Sequence, residues 1–113
     1  MYQKVTIVGR LGRDPEMKYT PQGTAVTEFS VATDAGYGDK KKTVWFRVTA
    51  WEKMAETCNA HLAKGRQVLV EGTLSEPKPF QAKNGEWRAS LDLTAREVKF
   101  LGSKGDKEEE VGF

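Results

Sequence analysis

Apolar and polar side chains alternate along much of this chain, as they do in β-strands that turn one face to a core. The alternation predicts five strands, at residues 5–11, about 24–33, 43–51, 68–74 and 88–101. The segments between them are rich in glycine, proline and charged residues, which is typical of turns and loops. The alternation slips between Val26 and Phe29, which predicts a β-bulge, and slips again between Ala95 and Val98.

One segment has the periodicity of a helix instead. Met54, Cys58 and Leu62 are spaced four apart within residues 52–63, and Lys64 and Gly65 then provide a helix stop. Three strands, a helix and two strands is the element order of an all-β OB-fold, a five-stranded Greek-key barrel. OB-folds bind their ligands across strands two and three, so the third strand is the first place to look for a binding site.

The third strand carries two tryptophans on the face that a barrel turns to solvent. Its even positions, from Val44 to Ala50, are all apolar and predict the core face. Its odd positions place Trp45, Arg47 and Trp51 together on the outer face. Aromatic rings interleaved with cations can stack bases and hold phosphates, so this face predicts nucleic-acid binding. The alternative is that the two rings cover a subunit contact or lie under a loop.

Composition and charge narrow the classes of function. The 113 residues fit one domain, with 1–102 as the OB-fold domain and 103–113 as a short acidic tail. The tail has a net charge of −2 and the rest +4, which indicates an anionic ligand. The only cysteine is Cys58 and the only histidine His61, so a disulfide, a catalytic His site and a metal site are not expected. Without a signal peptide or a membrane span, we expect a cytoplasmic protein with no membrane partner.

Several short motifs follow one another in a characteristic order. They are KVTIVGRLGRDPE at 4–16, KY at 18–19, GTAV at 23–26, FSVAT at 29–33, WFRV at 45–48, LAKG at 62–65 and VEG at 70–72. In these motifs the chain resembles the bacterial single-stranded DNA-binding proteins over nearly its whole length. The resemblance implies an OB-fold that binds and protects single-stranded DNA in replication, recombination and repair, with no enzymatic activity and no cofactor.

The resemblance also implies which aromatic rings stack on bases. The matching positions are Tyr37, Trp45, Trp51 and, in the region of residues 79–80, Phe80. Trp45 and Trp51 are six residues apart, roughly 20 Å at the rise of a strand, which suits separate nucleotides. Phe80 could instead fold back onto its own loop. Trp87, which opens the fifth strand, is predicted to join the stacking set, with packing as the alternative.

Basic side chains near this surface predict the phosphate contacts. Arg47 stands out because it shares a face with both tryptophans, and Lys18 and Lys53 match positions that the family uses. For any single cation, a solvated surface charge is the alternative. The predicted phosphate contacts are Arg10, Arg13, Lys18, Lys40, Lys41, Lys42, Arg47, Lys53, Lys64, Lys78, Lys83 and Arg88.

The acidic end is similar to the tip through which the family recruits replication and repair proteins. This tip consists of Glu108, Glu109, Glu110, Val111, Gly112 and Phe113. Gly112 stands where the family usually has proline, and the family's long linker before the tip is missing. Because the tip follows the domain almost at once, its glutamates could also compete with DNA for the basic groove.

The resemblance further implies a homotetramer whose dimers form through the first strand, where Val8 lies on the outer face.

Three other functions stay open. The missing linker motivates a dedicated accessory protein, for replication restart or natural transformation. A small nuclease would need clustered carboxylates, whereas Asp92, on the outer side of strand five, is isolated. An OB-fold adaptor or oligosaccharide binder is a third class, because aromatic faces also stack sugars.

Overall fold

Eight strands and one helix make up the computed structural model, which describes residues 2–102. The strands are β1 (Val5–Leu11), β2 (Glu16–Tyr19), β3 (Ala25–Ala35), β4 (Lys42–Trp51), β5 (Gln67–Leu74), β6 (Lys78–Gln81), β7 (Trp87–Ser90) and β8 (Asp92–Leu101). The helix α1 (Glu52–His61) connects β4 to β5, and a 3-10 turn at Gly38–Lys40 lies in the β3–β4 loop. Across residues 2–102, no helix is both long and apolar enough to span a membrane.

Five of the strands close into a barrel, in the order β1-β5-β8-β4-β3, with β1 returning to β3. The closure is short, because only Arg10 and Leu11 of β1 pair with β3. β4 and β8 run parallel, and the other barrel neighbours run antiparallel. β2 extends the sheet beyond β3, and β6 and β7 form a separate hairpin. The predicted all-β OB-fold, with its helix after the third barrel strand, is confirmed.

The core is built from alternate residues of the barrel strands and from one side of α1. The helix packs against β3 and β4 and buries Ala55 and Cys58. The principal core side chains are Ile7, Leu11, Phe29, Val31, Val48, Ala50, Cys58, Leu62, Val68, Val70 and Leu93. The inward side chains of the barrel strands form this core, and their outward side chains face solvent, where they can contact other molecules.

The prediction of a β-bulge between Val26 and Phe29 is wrong. β3 and β4 pair without a register shift along their whole ladder. Thr27 occupies a core position there, is fully buried, and donates a 2.8 Å hydrogen bond from its hydroxyl to the Ala55 carbonyl oxygen of α1. This hydrogen bond offsets the cost of burying the hydroxyl, so the strand alternation continues through a polar residue.

The second slip in the alternation, after Ala95, is a true β-bulge. Neighbouring residues Glu71 and Gly72 of β5 pair with Glu97 and Ala95 of β8, which leaves Arg96 as an extra residue on β8. A bulge of this kind bends its strand and increases its twist, as a small closed barrel requires. The shift of the inward positions from Ala95 to the half-buried Val98 therefore has a structural cause.

Several element boundaries differ from those predicted. β2 was not predicted, the predicted loop at 75–86 contains β6, and the predicted last strand is divided into β7 and β8 at Leu91. The side chains of β2, β6 and β7 are mostly exposed, so these strands have no core face and no strong alternation. The helix ends at His61 rather than at residue 63. The amide of Leu62, the next residue, donates the last hydrogen bond of the helix to the Cys58 carbonyl oxygen.

Burial raises the pKa of the Cys58 thiol from 9.0 to about 11. Between these pH values the folded protein keeps a proton that the unfolded chain loses, so the free energy of unfolding should fall as the pH rises. Urea unfolding at about pH 8 and about pH 11 should show a loss of roughly 1–3 kcal/mol from this group. Cys58→Ala should lack that contribution, and an equal pH slope in both proteins would contradict the prediction.

Candidate nucleic-acid interface

The outer face of β4 presents two half-exposed tryptophans on either side of an arginine. Phe46 and Val48 point inward, whereas Trp45, Arg47 and Trp51 point outward, as the alternation predicts. Trp45 is 51% exposed and Trp51 is 44% exposed. About half of the surface of each residue is therefore open to solvent. This arrangement offers two flat apolar surfaces to a ligand that lies along the strand.

Trp45 rests on the backbone of the turn after β1. A Cβ atom added to Gly12 in that turn would lie 2.6 Å from both Cζ3 and Cη2 of the Trp45 ring. The Gly12 amide donates a 3.1 Å hydrogen bond to the Ser30 carbonyl oxygen, which fixes the turn on β3. Across the ladder, Trp45 is paired with the small residue Ala32. Any larger residue at this position would therefore require the Trp45 ring to shift.

Replacing Gly12 by alanine is expected to displace the Trp45 ring and weaken binding of single-stranded DNA. The expected loss is roughly 1 kcal/mol, about fivefold in Kd, because one stack is impaired but not removed. Fluorescence anisotropy with a labelled oligothymidine measures it. In a Trp45→Ala background the same Gly12→Ala change should have no further effect on Kd. An equal loss in both backgrounds would show that Gly12 acts independently of the ring.

Trp51 lies at an open groove of about 500 Å³. Its cross-strand partner is Val26, which is paired in turn with Lys18 of β2, so a cation and the ring share one row of the sheet. Thr49 and Arg47 continue the groove along β4. Tyr19, 61% exposed, also lines the groove, and no role was predicted for it. Its only sequence signal was its place beside Lys18 in the KY motif.

The chain turns sharply directly after Trp51. Glu52, the first residue of α1, has a φ of 57°, in the left-handed region. That conformation costs a non-glycine residue roughly 1–2 kcal/mol. The turn ends β4 at Trp51 and starts the helix at the next residue, so the position of the indole is tied to the start of α1.

Arg47 is held in an ion pair in the middle of this face. Its Nε donates to Oδ1 of Asp92 at 3.3 Å, and the Ser90 hydroxyl donates to the same oxygen at 2.9 Å. The pairing of β4 with β8 sets Arg47 directly opposite Asp92. Parallel pairing of strands that are distant in sequence thus brings Asp92 to the arginine, a contact that the sequence did not predict.

The β6–β7 hairpin separates two aromatic rings that were predicted to act together. Phe80 pairs across the hairpin with Arg88, whereas Trp87 pairs with Gln81. Cross-strand partners share a face and successive residues alternate, so Phe80 and Trp87 lie on opposite faces. Ser90 is on the Phe80 face, and its hydroxyl contacts Asp92. The hairpin face that carries Phe80 is therefore the face whose last residue, Ser90, contacts Asp92.

The remaining predicted aromatic, Tyr37, projects from the β3–β4 loop. It is 90% exposed and directly precedes the 3-10 turn. Lys40, Lys41 and Lys42 follow it in the same loop and at the start of β4. Lys41 forms an exposed ion pair with Asp34 at 3.6 Å. This loop thus combines a ring and three cations beyond the Trp45 end of β4.

The other predicted cations fall in several places. Arg13 lines a cavity with Arg47, and Lys53 lies in the first turn of α1 in a cavity that Tyr19 also lines. On the hairpin, Lys78 shares the Phe80 face with Arg88, which pairs with Glu86, and Lys83 lies in the connecting turn. Two lie elsewhere: Arg10 donates to the Gly65 carbonyl oxygen, and the Lys64 amide donates to Asp14.

Within residues 2–102, no three His, Cys, Asp or Glu side chains are grouped so that they could hold a metal ion. The acidic tip predicted at 108–113 lies outside the described residues. The outer face of β4 and the groove beside Trp51 are thus the parts of the predicted site that the structure brings together.

A sequence model of the "Single-strand binding protein family" matches residues 2–101. The chain belongs to this family. The match includes β4, the groove and the hairpin, and it ends before the acidic tip.

Curated relatives in the single-strand binding protein family are similar over most of this chain. A single-stranded DNA-binding protein of Neisseria meningitidis serogroup A is 41% identical over 108 residues, which cover 91% of this chain and 62% of the relative. Single-stranded DNA-binding protein 1 of Chlorobaculum tepidum is 36% identical, covering 89% and 65%. The protein of Xanthomonas axonopodis pv. citri is 39% identical, covering 91% and 59%. The chain spans about three-fifths of the length of these relatives.

Proposed function

We propose that this protein binds single-stranded DNA with little dependence on sequence. The observation that carries the proposal is the pair of half-exposed tryptophans on the outer face of β4, in a member of the single-strand binding protein family. Each base–aromatic stack contributes about 1–3 kcal/mol and needs no particular base, since every base has a π-face. Trp45 and Trp51 are the first rings proposed to stack on the bases of the bound strand, and Phe80 and Tyr37 are proposed to stack on further bases.

The cations around these rings are proposed to hold the phosphates. Lys18 shares a row of the sheet with Trp51, and Lys78 and Arg88 share the Phe80 face of the hairpin. Such contacts release counterions from DNA, so the affinity should fall with salt. About five neutralised phosphates on a single strand would give a slope of log affinity against log salt of about −3 to −4.

The proposed cellular role is to coat and protect single strands during replication, recombination and repair, in the cytoplasm at the nucleoid. Stacking that ignores base identity suits a protein that must bind any exposed strand. The protein is proposed to act by binding, with no chemical step. A dedicated accessory role in replication restart or natural transformation is the second candidate, and a test of this chain as the sole single-strand binder of a cell separates the two.

Self-association through β1 is also proposed, as dimers that pair into a tetramer. β1 pairs with β5 from Val5 to Arg10, but with β3 only at Arg10 and Leu11. Along most of its length, one backbone edge of β1 is therefore unpaired in the described chain, and such an edge can accept a second copy. Recruitment of replication and repair proteins through the tip at 108–113 is a separate proposal, which rests on the sequence.

Equilibrium binding to labelled oligothymidine at a series of salt concentrations tests the proposed function. We expect saturable binding that weakens with salt at the slope given above. Binding that ignores salt would favour the oligosaccharide or adaptor alternative, because neutral ligands release no counterions. Magnesium-dependent cleavage of the oligonucleotide would instead favour the nuclease alternative.

A further inference from the structure

The sheet surface between Trp45 and Trp51 carries more negative than positive charge. Arg47 is its cation, opposite Asp92 of β8. Glu28 of β3 lies on the same face, because it is the cross-strand partner of Thr49, and it lines cavities together with Arg47. We call the surface formed by Arg47, Thr49, Glu28 and Asp92 the floor. The other cations near the tryptophans, such as Lys18, lie toward its edges.

The ion pair on the floor compensates the charge of Arg47. Nε of Arg47 lies 3.3 Å from Oδ1 of Asp92, and the Ser90 hydroxyl holds the same oxygen at 2.9 Å. Both partners are about half exposed, at 57% and 43%, so the pair adds little to stability. It is thus better explained by its effect on a ligand than by its effect on folding.

Single-stranded and duplex DNA present different groups to such a floor. A single strand can turn its bases to the sheet and keep its phosphates at the edges, where the lysines lie. A duplex has its bases paired inside, so the surface that reaches the floor is lined by phosphates. A floor without net positive charge therefore disfavours the duplex and tolerates the bases of a single strand.

We propose that Asp92 is a specificity-determining residue that directs this protein to single-stranded rather than duplex DNA. It does so by cancelling the charge of Arg47 at the one place where a duplex would have to bring phosphates between the tryptophans. The inference rests on the proposed function, since it assumes that DNA lies along the outer face of β4.

The test is Asp92→Asn, which keeps an oxygen for Arg47 and Ser90 but removes the charge. Duplex affinity should rise roughly tenfold, because a repulsion across the interface is removed, and single-strand affinity less than about threefold. For the duplex, the slope of log affinity against log salt should steepen by about 0.9, the value for one additional phosphate contact. Asp92→Ala should act in the same direction, because the effect comes from the charge and not from the hydrogen bond.

Glu97→Gln is the matched control. Glu97 is also on β8 and also pairs with a cation, Lys99 at 3.7 Å, but it lies beyond the bulge in a cavity that is lined by Tyr2 and not by the tryptophans. This variant should leave the ratio of single-strand to duplex affinity unchanged.

If Asp92→Asn raises the affinity for both DNAs equally, or if Glu97→Gln changes the ratio of single-strand to duplex affinity as much as Asp92→Asn does, a general charge effect replaces the proposal. If Asp92→Asn changes neither affinity, the proposal is also overturned, but the proposed function stays intact as long as the unmodified protein binds single strands. Failure of the unmodified protein to bind single strands would overturn both.

Discussion

Replacing Trp45 and Trp51 together by alanine should weaken binding of single-stranded DNA by about 2–6 kcal/mol, since each stack contributes about 1–3 kcal/mol. At a fixed salt concentration this is roughly 30-fold to 20,000-fold in Kd. Each single variant should lose about half of that free energy. The loss should be in stacking and not in phosphate contacts, so the slope of affinity against salt should stay the same. Anisotropy titrations with labelled oligothymidine provide both quantities.

Tyr2→Ala is a suitable control for the double variant. Tyr2 is an exposed aromatic residue, 86% accessible, that lines a different cavity from the one beside Trp51. Its removal should leave the affinity for DNA unchanged. Because both tryptophans are half exposed, urea unfolding should show that the double variant still folds. A folded double variant that binds as tightly as the unmodified protein would contradict the proposed interface.

Replacing Gly72 by alanine should destabilise the barrel by about 3 kcal/mol, at the upper end of the usual cost of overpacking. A Cβ atom on Gly72 would lie 2.0 Å from the carbonyl oxygen of Thr94 on β8. No rotamer change can relieve a collision with backbone, so the β5–β8 pairing would have to open at the bulge. Urea unfolding monitored by circular dichroism measures the loss, which is large against the 5–15 kcal/mol typical of a domain.

Gly23→Ala is a control that measures the cost of a left-handed backbone conformation without a collision. Gly23 has a φ of 89°, and a Cβ atom there would have no neighbour within 4 Å. Its replacement should cost about 1–2 kcal/mol, the penalty of a left-handed residue alone. Gly9→Ala should resemble Gly72→Ala, because its Cβ would lie 2.1 Å from the Ala32 carbonyl oxygen. A Gly72→Ala protein no less stable than Gly23→Ala would contradict this account of the barrel.

The barrel could be predicted from the sequence because each of its strands has a core face. The run from Val44 to Ala50 is an uninterrupted alternation, and the order of strands and helix then selects the fold. Prediction failed where a contact with a distant segment lets a residue occupy an environment that its polarity does not suggest. Thr27 interrupts the apolar pattern, yet Ala55 supplies the acceptor that lets it be buried. β2 and β6 were missed because exposed strands bury no face.

The same distinction applies to the site. The strand period alone places Trp45, Arg47 and Trp51 on one face, and the structure agrees. The support of Trp45 by Gly12 and the pairing of Arg47 with Asp92 depend on contacts between distant segments, 45 residues apart in the second case. Whether Phe80 and Trp87 share a face depends on the register of their hairpin, and no local pattern encodes it.

Quenching of intrinsic tryptophan fluorescence by DNA tests the central claim most directly. The titration uses a long oligothymidine and, separately, a duplex of the same length, each at several salt concentrations. If Trp45 and Trp51 stack on bases, the single strand should quench strongly, salt should shift the titration to higher DNA concentrations, and the duplex should have little effect. Absence of quenching by the single strand at low salt would contradict the claim that the outer face of β4 binds DNA.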